Sequence, residues 1–259
     1  MFVGVTSARP DGATALAVAL AARVSTTRPT LLADLNPHRP EVSVLLDVDC
    51  QTNAYHLAHR LRLGSLTAKD VAGAAVWREG LAIIPGITQP GQGAELSTSF
   101  VRELIRASST DFEVLVADLG PLEASLPVDS DIGHVLWAVT PSPLGIAAFD
   151  RAWREIDADD VAWRGSLSPV LTRVAADSLE GTERYVAVEA GLDVVATVPS
   201  CPGIWQRMEL RHSMRELVAP GGGRRFSQAL GTDVVAFRRA IDELVVRLEL
   251  TGVRAARAS

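Results

Sequence analysis

The first twenty residues of this sequence constrain its fold more than any other stretch. An apolar run from Phe2 to Thr6 is followed by a short loop at residues 7–12 and then by an alanine- and leucine-rich segment. This order predicts a strand, a tight turn at Gly12 and a helix that opens at Thr14. A phosphate-binding loop has the same layout, because backbone N–H groups and a helix N-terminus converge there on an anion.

The positive charge of a phosphate-binding loop is missing from this stretch. In the pattern G-x-x-x-x-G-K-S/T, Ser7 stands at the first glycine and Ala13 at the lysine, while Thr14 keeps the hydroxyl that contacts Mg²⁺. The whole chain contains one lysine, Lys69, far along the sequence. The sequence therefore has the scaffold of such a loop without its lysine.

Arg9 is the cation nearest to the turn, and it is the candidate substitute for the lysine. Pro10 removes one donor N–H, and Asp11 places negative charge where a phosphate would sit. A guanidinium can still bind phosphate through two donors. Two interpretations follow: a loop that no longer binds nucleotide, and a loop in which Arg9 replaces the lysine.

Composition favours one α/β domain over residues 1–259, with residues 250–259 as a frayed tail. The net charge of −6 argues against a protein whose whole surface binds nucleic acid. Cys50 and Cys201 lie far apart without metal-site spacing, which is typical of reduced cytoplasmic thiols. No apolar run approaches the ~20 residues of a membrane-spanning helix, so integral membrane contact is not expected.

Apolar runs alternate with helical patterns, which predicts a doubly wound, mostly parallel sheet flanked by helices. The strands predicted after the first lie at residues 30–34, 81–85, 112–121, 134–140, 169–174 and 192–199. Helices are predicted within 42–75 and at 99–107, 144–156, 180–190 and 232–250. On the last helix the predicted core side consists of Val235, Phe237, Ile241, Leu244, Val245 and Leu248.

Two of the predicted strands carry an aspartate at their carboxyl end. Asp34 ends T-L-L-A-D, and Asp118 follows the apolar part of F-E-V-L-V-A-D-L-G-P. Open α/β sheets bind ligands at this edge. Asp118 stands at the Walker B position, where a carboxylate holds Mg²⁺, so Thr14 and Asp118 are the predicted metal residues of a nucleotide-bound state. The alternative is that Asp118 only caps the end of its strand.

These landmarks together resemble the ParA/MinD family of deviant Walker ATPases, and within it the CpaE/TadZ-like branch. S-A-R-P-D-G-A-T-A-L-A stands where the family has G-K-G-G-x-G-K-T-T-x-A, and L-L-A-D-L-N-P stands at its D-x-D-P-like segment. V-L-T-R-V stands at a strand that in the family ends in Asn-Arg. The resemblance runs from Phe2 to about Met208 and implies a P-loop NTPase-like fold.

The resemblance also implies which nucleotide-binding positions are kept. Those that match the family are Gly12, Thr14, Asp34 and Asp118. Those that depart from it are Ala8 and Ala13 at the two lysines, Asn36 at the water-positioning acid and Thr172 at the asparagine that reads adenine. The predicted cofactor-binding set is therefore Arg9, Gly12, Ala13, Thr14, Asp34, Asn36 and Thr172.

These departures predict a pseudo-ATPase that acts by binding. The resemblance implies a positioning or scaffolding factor for a pilus or secretion machine, or for a cell-division or partition system. Such a factor would be a cytoplasmic homodimer that reaches the membrane or cell pole through protein partners and needs no cofactor. The alternative enzyme is a weak ATPase that binds ATP and Mg²⁺ with the help of Arg9.

Partition-type DNA binding is a further alternative. It would rest on Arg224 and Arg225, in a Gly/Arg-rich loop at residues 220–225, and on the arginines of residues 206–215. Acidic residues alternate with those arginines, which favours a solvated surface over a nucleic-acid interface. The histidines form no triad or metal spacing, so acyl- and phosphoryl-transfer chemistry through them is not indicated.

Overall fold

The predicted parallel sheet is present in the computed structural model, which describes residues 1–9, 12–121, 133–158, 167–175, 178, 180–201 and 232–255. Its strands are β1 (Phe2–Ser7), β2 (Thr30–Asp34), β3 (Val76–Arg78), β4 (Leu81–Ile84), β5 (Val114–Pro121), β6 (His134–Val139), β7 (Leu167–Val174) and β8 (Ala196–Pro199). Within the described residues they form one eight-stranded sheet in the order β3-β4-β2-β5-β1-β6-β7-β8.

Helices cover both faces of this sheet. They are α1 (Ala13–Val24), α2 (Val42–Leu46), α3 (Ala54–Arg62), α4 (Ala68–Ala74), α5 (Thr98–Ser108), α6 (Pro143–Ala158), α7 (Thr182–Ala190) and α8 (Thr232–Ala255), with a 3₁₀ helix at Pro90–Glu95. One core cluster packs α1 and α8 against the sheet, and a second packs α3 to α7 against the other face. Every residue of β1 and β2 is buried, as expected for parallel strands covered on both faces.

One strand runs against the parallel direction. β3 pairs antiparallel with β4 at the edge of the sheet, and the two are joined by Glu79 and Gly80. Both of these residues have positive φ, 52° and 85°, which is the backbone of a two-residue hairpin turn. β3 was not predicted from the sequence, because three residues with an exposed Trp77 show no strand pattern.

The remaining elements lie close to their predicted positions, with two corrections. β8 begins at Ala196, so residues 192–195 are not part of it, and α8 extends to Ala255. On α8, Val235 was predicted to face the core but is 54% exposed, whereas Val234 is buried. The helix therefore packs through Val234, Phe237 and Ile241.

The sheet topology brings the ends of the central strands together. β1 lies between β5 and β6, and β2 pairs with β5 so that Asp34 is level with Asp118. None of the helices in the described ranges combines the length and apolarity needed to cross a lipid bilayer. The predicted arginine-rich regions at 206–215 and 220–225 lie outside the described residues.

Candidate functional site

The loop after β1 has the backbone of a tight turn into a helix. Gly12 caps α1 with φ +92°, a conformation that side-chain-bearing residues rarely adopt, and its carbonyl accepts from Leu16 N–H at 2.9 Å. Ala13 is only 5% exposed and belongs to the core cluster beneath α1, while Ala8 packs against the opposite cluster. Both positions predicted to have lost a lysine therefore carry small apolar side chains against the core.

Two aspartates lie side by side beneath this loop. Asp34 and Asp118 are paired across β2 and β5, and both are fully buried. Asp34 accepts hydrogen bonds from Asn36 N–H at 3.3 Å and Val42 N–H at 3.0 Å. A Cβ at Gly86 would lie 2.8 Å from Asp34 Oδ2, so the chain closes around this carboxylate. Asp34 thus holds the loop between β2 and α2 in place.

Asp118 has one satisfied and one unsatisfied oxygen. Its Oδ1 accepts from Gly120 N–H at 3.1 Å, and its buried Oδ2 has no hydrogen-bond partner within the described ranges. Burial raises the pKa of Asp118 to about 6, opposed by the nearby hydroxyl of Thr14 and by Gly120 N–H. Burial, and then the charge of Asp118, raises the pKa of Asp34 well above its ordinary value. The pair consequently favours holding a proton.

The side chain of Asn36 stabilises the turn that follows β2. Its Oδ1 accepts from the backbone N–H groups of His38 at 3.0 Å and Arg39 at 2.9 Å. Its side chain also packs on Gly120, which has φ +69° and where a Cβ would lie 2.5 Å from Asn36 Oδ1. This asparagine therefore forms the turn after β2 in the way that an Asx turn does.

A pocket of about 230 Å³ lies at the carboxyl ends of β1, β2, β5, β7 and β8. Of the predicted cofactor-binding residues, five line it: Gly12, Ala13, Thr14, Asn36 and Thr172. Asp34, Asp118 and Arg9 are not among its lining residues. Its apolar wall is formed by Leu16, Leu45, Val198, Pro199, Cys201 and Phe237.

Two arginines line the pocket, and neither was predicted as a site residue. The Nε atom of Arg39 lies 2.8 Å from Glu41, a carboxylate that also lines the pocket. Arg173 has φ 55° and lies where the β7–β8 register shifts, and its Nε lies 3.4 Å from the position of a Cβ on Gly12. Two signals for Arg173 were available, its place next to Thr172 at the end of a strand and its match to the arginine of the family's Asn-Arg pair.

The predicted metal residues lie close together without forming a ligand cluster. Thr14 lies close enough to Asp118 to lower its pKa, as a shared metal position requires. Within the described ranges, no group of three or more His, Cys, Asp or Glu side chains could hold a metal ion. The unpartnered Oδ2 of Asp118 is the described atom best suited to a cation here.

Solved structures share this fold over nearly the whole chain. A ParA family ATPase from Chlorobium tepidum superposes with a TM-score of 0.76 at 15% identity, covering 94% of this chain and 98% of that one. A chain of the MinC:MinD cell division protein complex of Aquifex aeolicus superposes with a TM-score of 0.67 at 14% identity, covering 96% of this chain and 95% of that one. MinD from Pyrococcus horikoshii, complexed with Mg-ADP, superposes with a TM-score of 0.66 at 13% identity, covering 94% of each chain.

These likenesses establish that the chain has the fold of the ParA/MinD family ATPases. No family model matches the sequence, and no curated protein matches it. At 13–15% identity the fold alone is shared.

Proposed function

We propose that this protein is a positioning or scaffolding factor on a ParA/MinD-type fold that works without ATP hydrolysis. The observation that carries the proposal is the pair of alanines in the loop after β1. Ala8 and Ala13 pack against the two core clusters at the positions where the resemblance places lysines. Phosphoryl transfer depends on cations that neutralise the developing charge, and these side chains offer none.

The charges around the pocket also fit a triphosphate poorly. Glu41 lines the pocket and pairs with Arg39, so this arginine contributes little net positive charge. Two buried carboxylates, Asp34 and Asp118, lie beneath the loop. Lys69, the only lysine in the chain, lies on α4, which packs against α3 and α5. Because Glu41 offsets Arg39, Arg173 is the remaining cation of the described lining, against the several negative charges of a nucleoside triphosphate.

The alternative of a weak ATPase has less support. It requires Arg9 to replace the lysine, yet Arg9 does not line the pocket. Its backbone carbonyl accepts from the hydroxyl of Ser7, which ties the loop back onto the end of β1. The nucleotide-free interpretation needs no rearrangement of this loop.

A homodimer is the second part of the proposal. Val44 on α2 is 79% exposed and Leu144 at the start of α6 is 68% exposed. Both follow strands of the parallel sheet, β2 and β6, so they lie at the same edge as the pocket. Two such edges can bury these side chains against each other, and the uncharged loop removes the repulsion between facing cations.

The partners are proposed to be proteins of a pilus or secretion machine, or of a cell-division or partition system. Support comes from the structural neighbours, one of which is a chain of the MinC:MinD cell division protein complex. Partner binding would bring the protein to the membrane or the cell pole from the cytoplasm.

ATP turnover by the purified protein tests the proposal that it works without ATP hydrolysis. Wild type and Asp118→Asn are compared under saturating Mg-ATP, because hydrolysis by this fold would need the carboxylate of Asp118. The expected result is equal release of phosphate from both, at the background of the buffer. Wild-type turnover that Asp118→Asn removes would refute the pseudo-ATPase.

Sedimentation equilibrium tests the dimer. Wild type is expected to be dimeric at tens of micromolar, to the same extent with and without Mg-ATP. Val44→Asp and Leu144→Asp should shift it towards monomer, because each places a charge in the buried contact. Val188→Asp is the matched control, since Val188 is 70% exposed but lies on α7. A monomeric wild type, or equal effects of all three variants, would contradict the proposed interface.

A further inference from the structure

The pocket at the carboxyl edge has an apolar floor that a nucleotide-free scaffold does not explain. Val198, Cys201 and Phe237 are each at most 4% exposed, and they line the pocket from β8, from the residues after it and from α8. Leu45 contributes from α2 on the facing side. A cavity of about 230 Å³ with such walls accepts a flat or aliphatic body of one or two rings.

The polar rim of the pocket supplies one arginine that has no carboxylate partner among the described salt bridges. Arg39 is paired with Glu41, whereas Arg173 forms no such pair within the described ranges. Arg173 is held over Gly12 by a backbone in the left-handed region, φ 55°. Such conformations are costly for a side-chain-bearing residue and cluster at ligand sites. Arg173 thus lines the pocket with its Nε beside Gly12.

The charges of the lining residues limit how much negative charge the pocket can receive. Glu41 lines it and offsets Arg39, whereas Asp34 and Asp118 do not line the pocket. One ligand charge can pair with Arg173, and the Arg39–Glu41 pair leaves no second net positive charge in the described lining for another. The balance of the described side chains therefore matches a single negative charge.

We propose that this pocket binds a small amphipathic anion with one negative charge, with its apolar body against Phe237 and Val198 and its charge on Arg173. A polyphosphate brings more negative charge than the described lining can neutralise. The inference rests on the part of the proposed function that removes nucleotide from this site, and it adds the class of molecule that takes its place.

Fluorescence titration with 2-naphthoate and with its neutral counterpart 2-naphthalenemethanol tests the charge requirement. Full-length protein is expected to bind 2-naphthoate saturably and about tenfold more tightly than the alcohol, the range of one charge-assisted hydrogen bond. Mg-ATP at the same concentration should not displace 2-naphthoate. Equal affinity for the two probes, no binding of 2-naphthoate at millimolar concentration, or displacement by Mg-ATP would each overturn the proposal.

Variants locate the binding within the pocket. Arg173→Gln should remove the preference for 2-naphthoate over the alcohol, whereas Arg151→Gln, on α6 and outside the pocket lining, should keep it. Ser200→Phe places an aromatic ring among the lining residues without changing any charge, and it should weaken the binding of both probes. An unchanged preference in Arg173→Gln, or unchanged affinities in Ser200→Phe, would show that the probes bind elsewhere.

The two proposals fail in different ways. ATP turnover that depends on Asp118 would refute the pseudo-ATPase, whatever the result with 2-naphthoate. Absence of 2-naphthoate binding alongside absence of turnover would refute the anion pocket and leave the scaffold standing.

Discussion

Replacing Asp118 by asparagine is expected to stabilise the protein at alkaline pH. Burial raises the pKa of this carboxyl from 3.8 to about 6, so the folded state holds the proton more tightly than the unfolded chain does. The stability contributed by this group is therefore full at low pH and is lost as the pH rises through the folded-state pKa. Asparagine keeps the acceptor for Gly120 N–H and removes the charge.

The magnitude follows from the size of the pKa change. A difference of about 2 pKa units at about 1.4 kcal/mol each corresponds to roughly 3 kcal/mol once the carboxyl is fully ionised. The new amide N–H group replaces Oδ2, which has no partner within the described ranges, and leaving it unpaired costs about 1 kcal/mol. The expected net gain of Asp118→Asn is therefore about 2 kcal/mol at about pH 8, falling to near zero at about pH 4.5.

Urea unfolding followed by tryptophan fluorescence measures this difference, because the indole of Trp137 is fully buried. Wild type and Asp118→Asn are compared at both pH values, without Mg²⁺, and the midpoints are converted with a common slope. Asp111→Asn is the control, since Asp111 is exposed and its substitution should change stability by less than about 0.5 kcal/mol. A variant less stable than wild type at alkaline pH, or an equal gain at both pH values, would refute the reasoning.

Two further substitutions test the loop and the helix that flank the pocket. Gly12→Ala should lower the free energy of unfolding by about 1–2 kcal/mol, because φ is +92° there and Arg173 lies 3.4 Å from the new Cβ. Gly64→Ala is the control, because a Cβ at Gly64 would meet no atom within 4 Å, and it should leave stability unchanged or raise it slightly. An equal loss of stability in Gly12→Ala and Gly64→Ala would contradict a strained loop at Gly12. Arg23→Ala removes the ion pair with Asp242 that joins α1 to α8. It should cost about 1 kcal/mol and speed hydrogen exchange in α8, and unchanged exchange would show that packing alone holds this helix.

Most of the sheet could be predicted because its strands are short apolar runs separated by helical patterns. Asp34 and Asp118 were placed at the carboxyl ends of two strands by the same logic, and the structure pairs those strands so that the two residues are level with each other. β3 was not predicted because its pairing with β4 depends on the turn at Glu79 and Gly80 rather than on an apolar pattern of its own. Val235 was assigned to the wrong side because its neighbour Val234 is equally apolar and a one-residue choice rotates the predicted face by 100°.

The pocket could be predicted only in part. Its backbone, from Gly12 to Thr14, follows from local sequence, whereas Asn36 and Thr172 were named from the resemblance, at the positions of the family's water-positioning acid and adenine-reading asparagine. Arg173 was missed because its approach to Gly12 depends on a register shift between β7 and β8, which no local pattern reveals. Arg39 was missed for a similar reason, since its pairing with Glu41 is set by the turn that Asn36 holds.

The contact between Asn36 and Gly120 links two distant positions of the sequence. A methyl group at residue 120 would lie 2.5 Å from Asn36 Oδ1, so the two loops are complementary in shape. Neither residue can be enlarged alone, and a lineage that acquires a side chain at 120 must first shorten the one at 36. Among descendants of this chain the two sites should therefore evolve as a pair, with glycine at one accompanying an amide or carboxylate at the other.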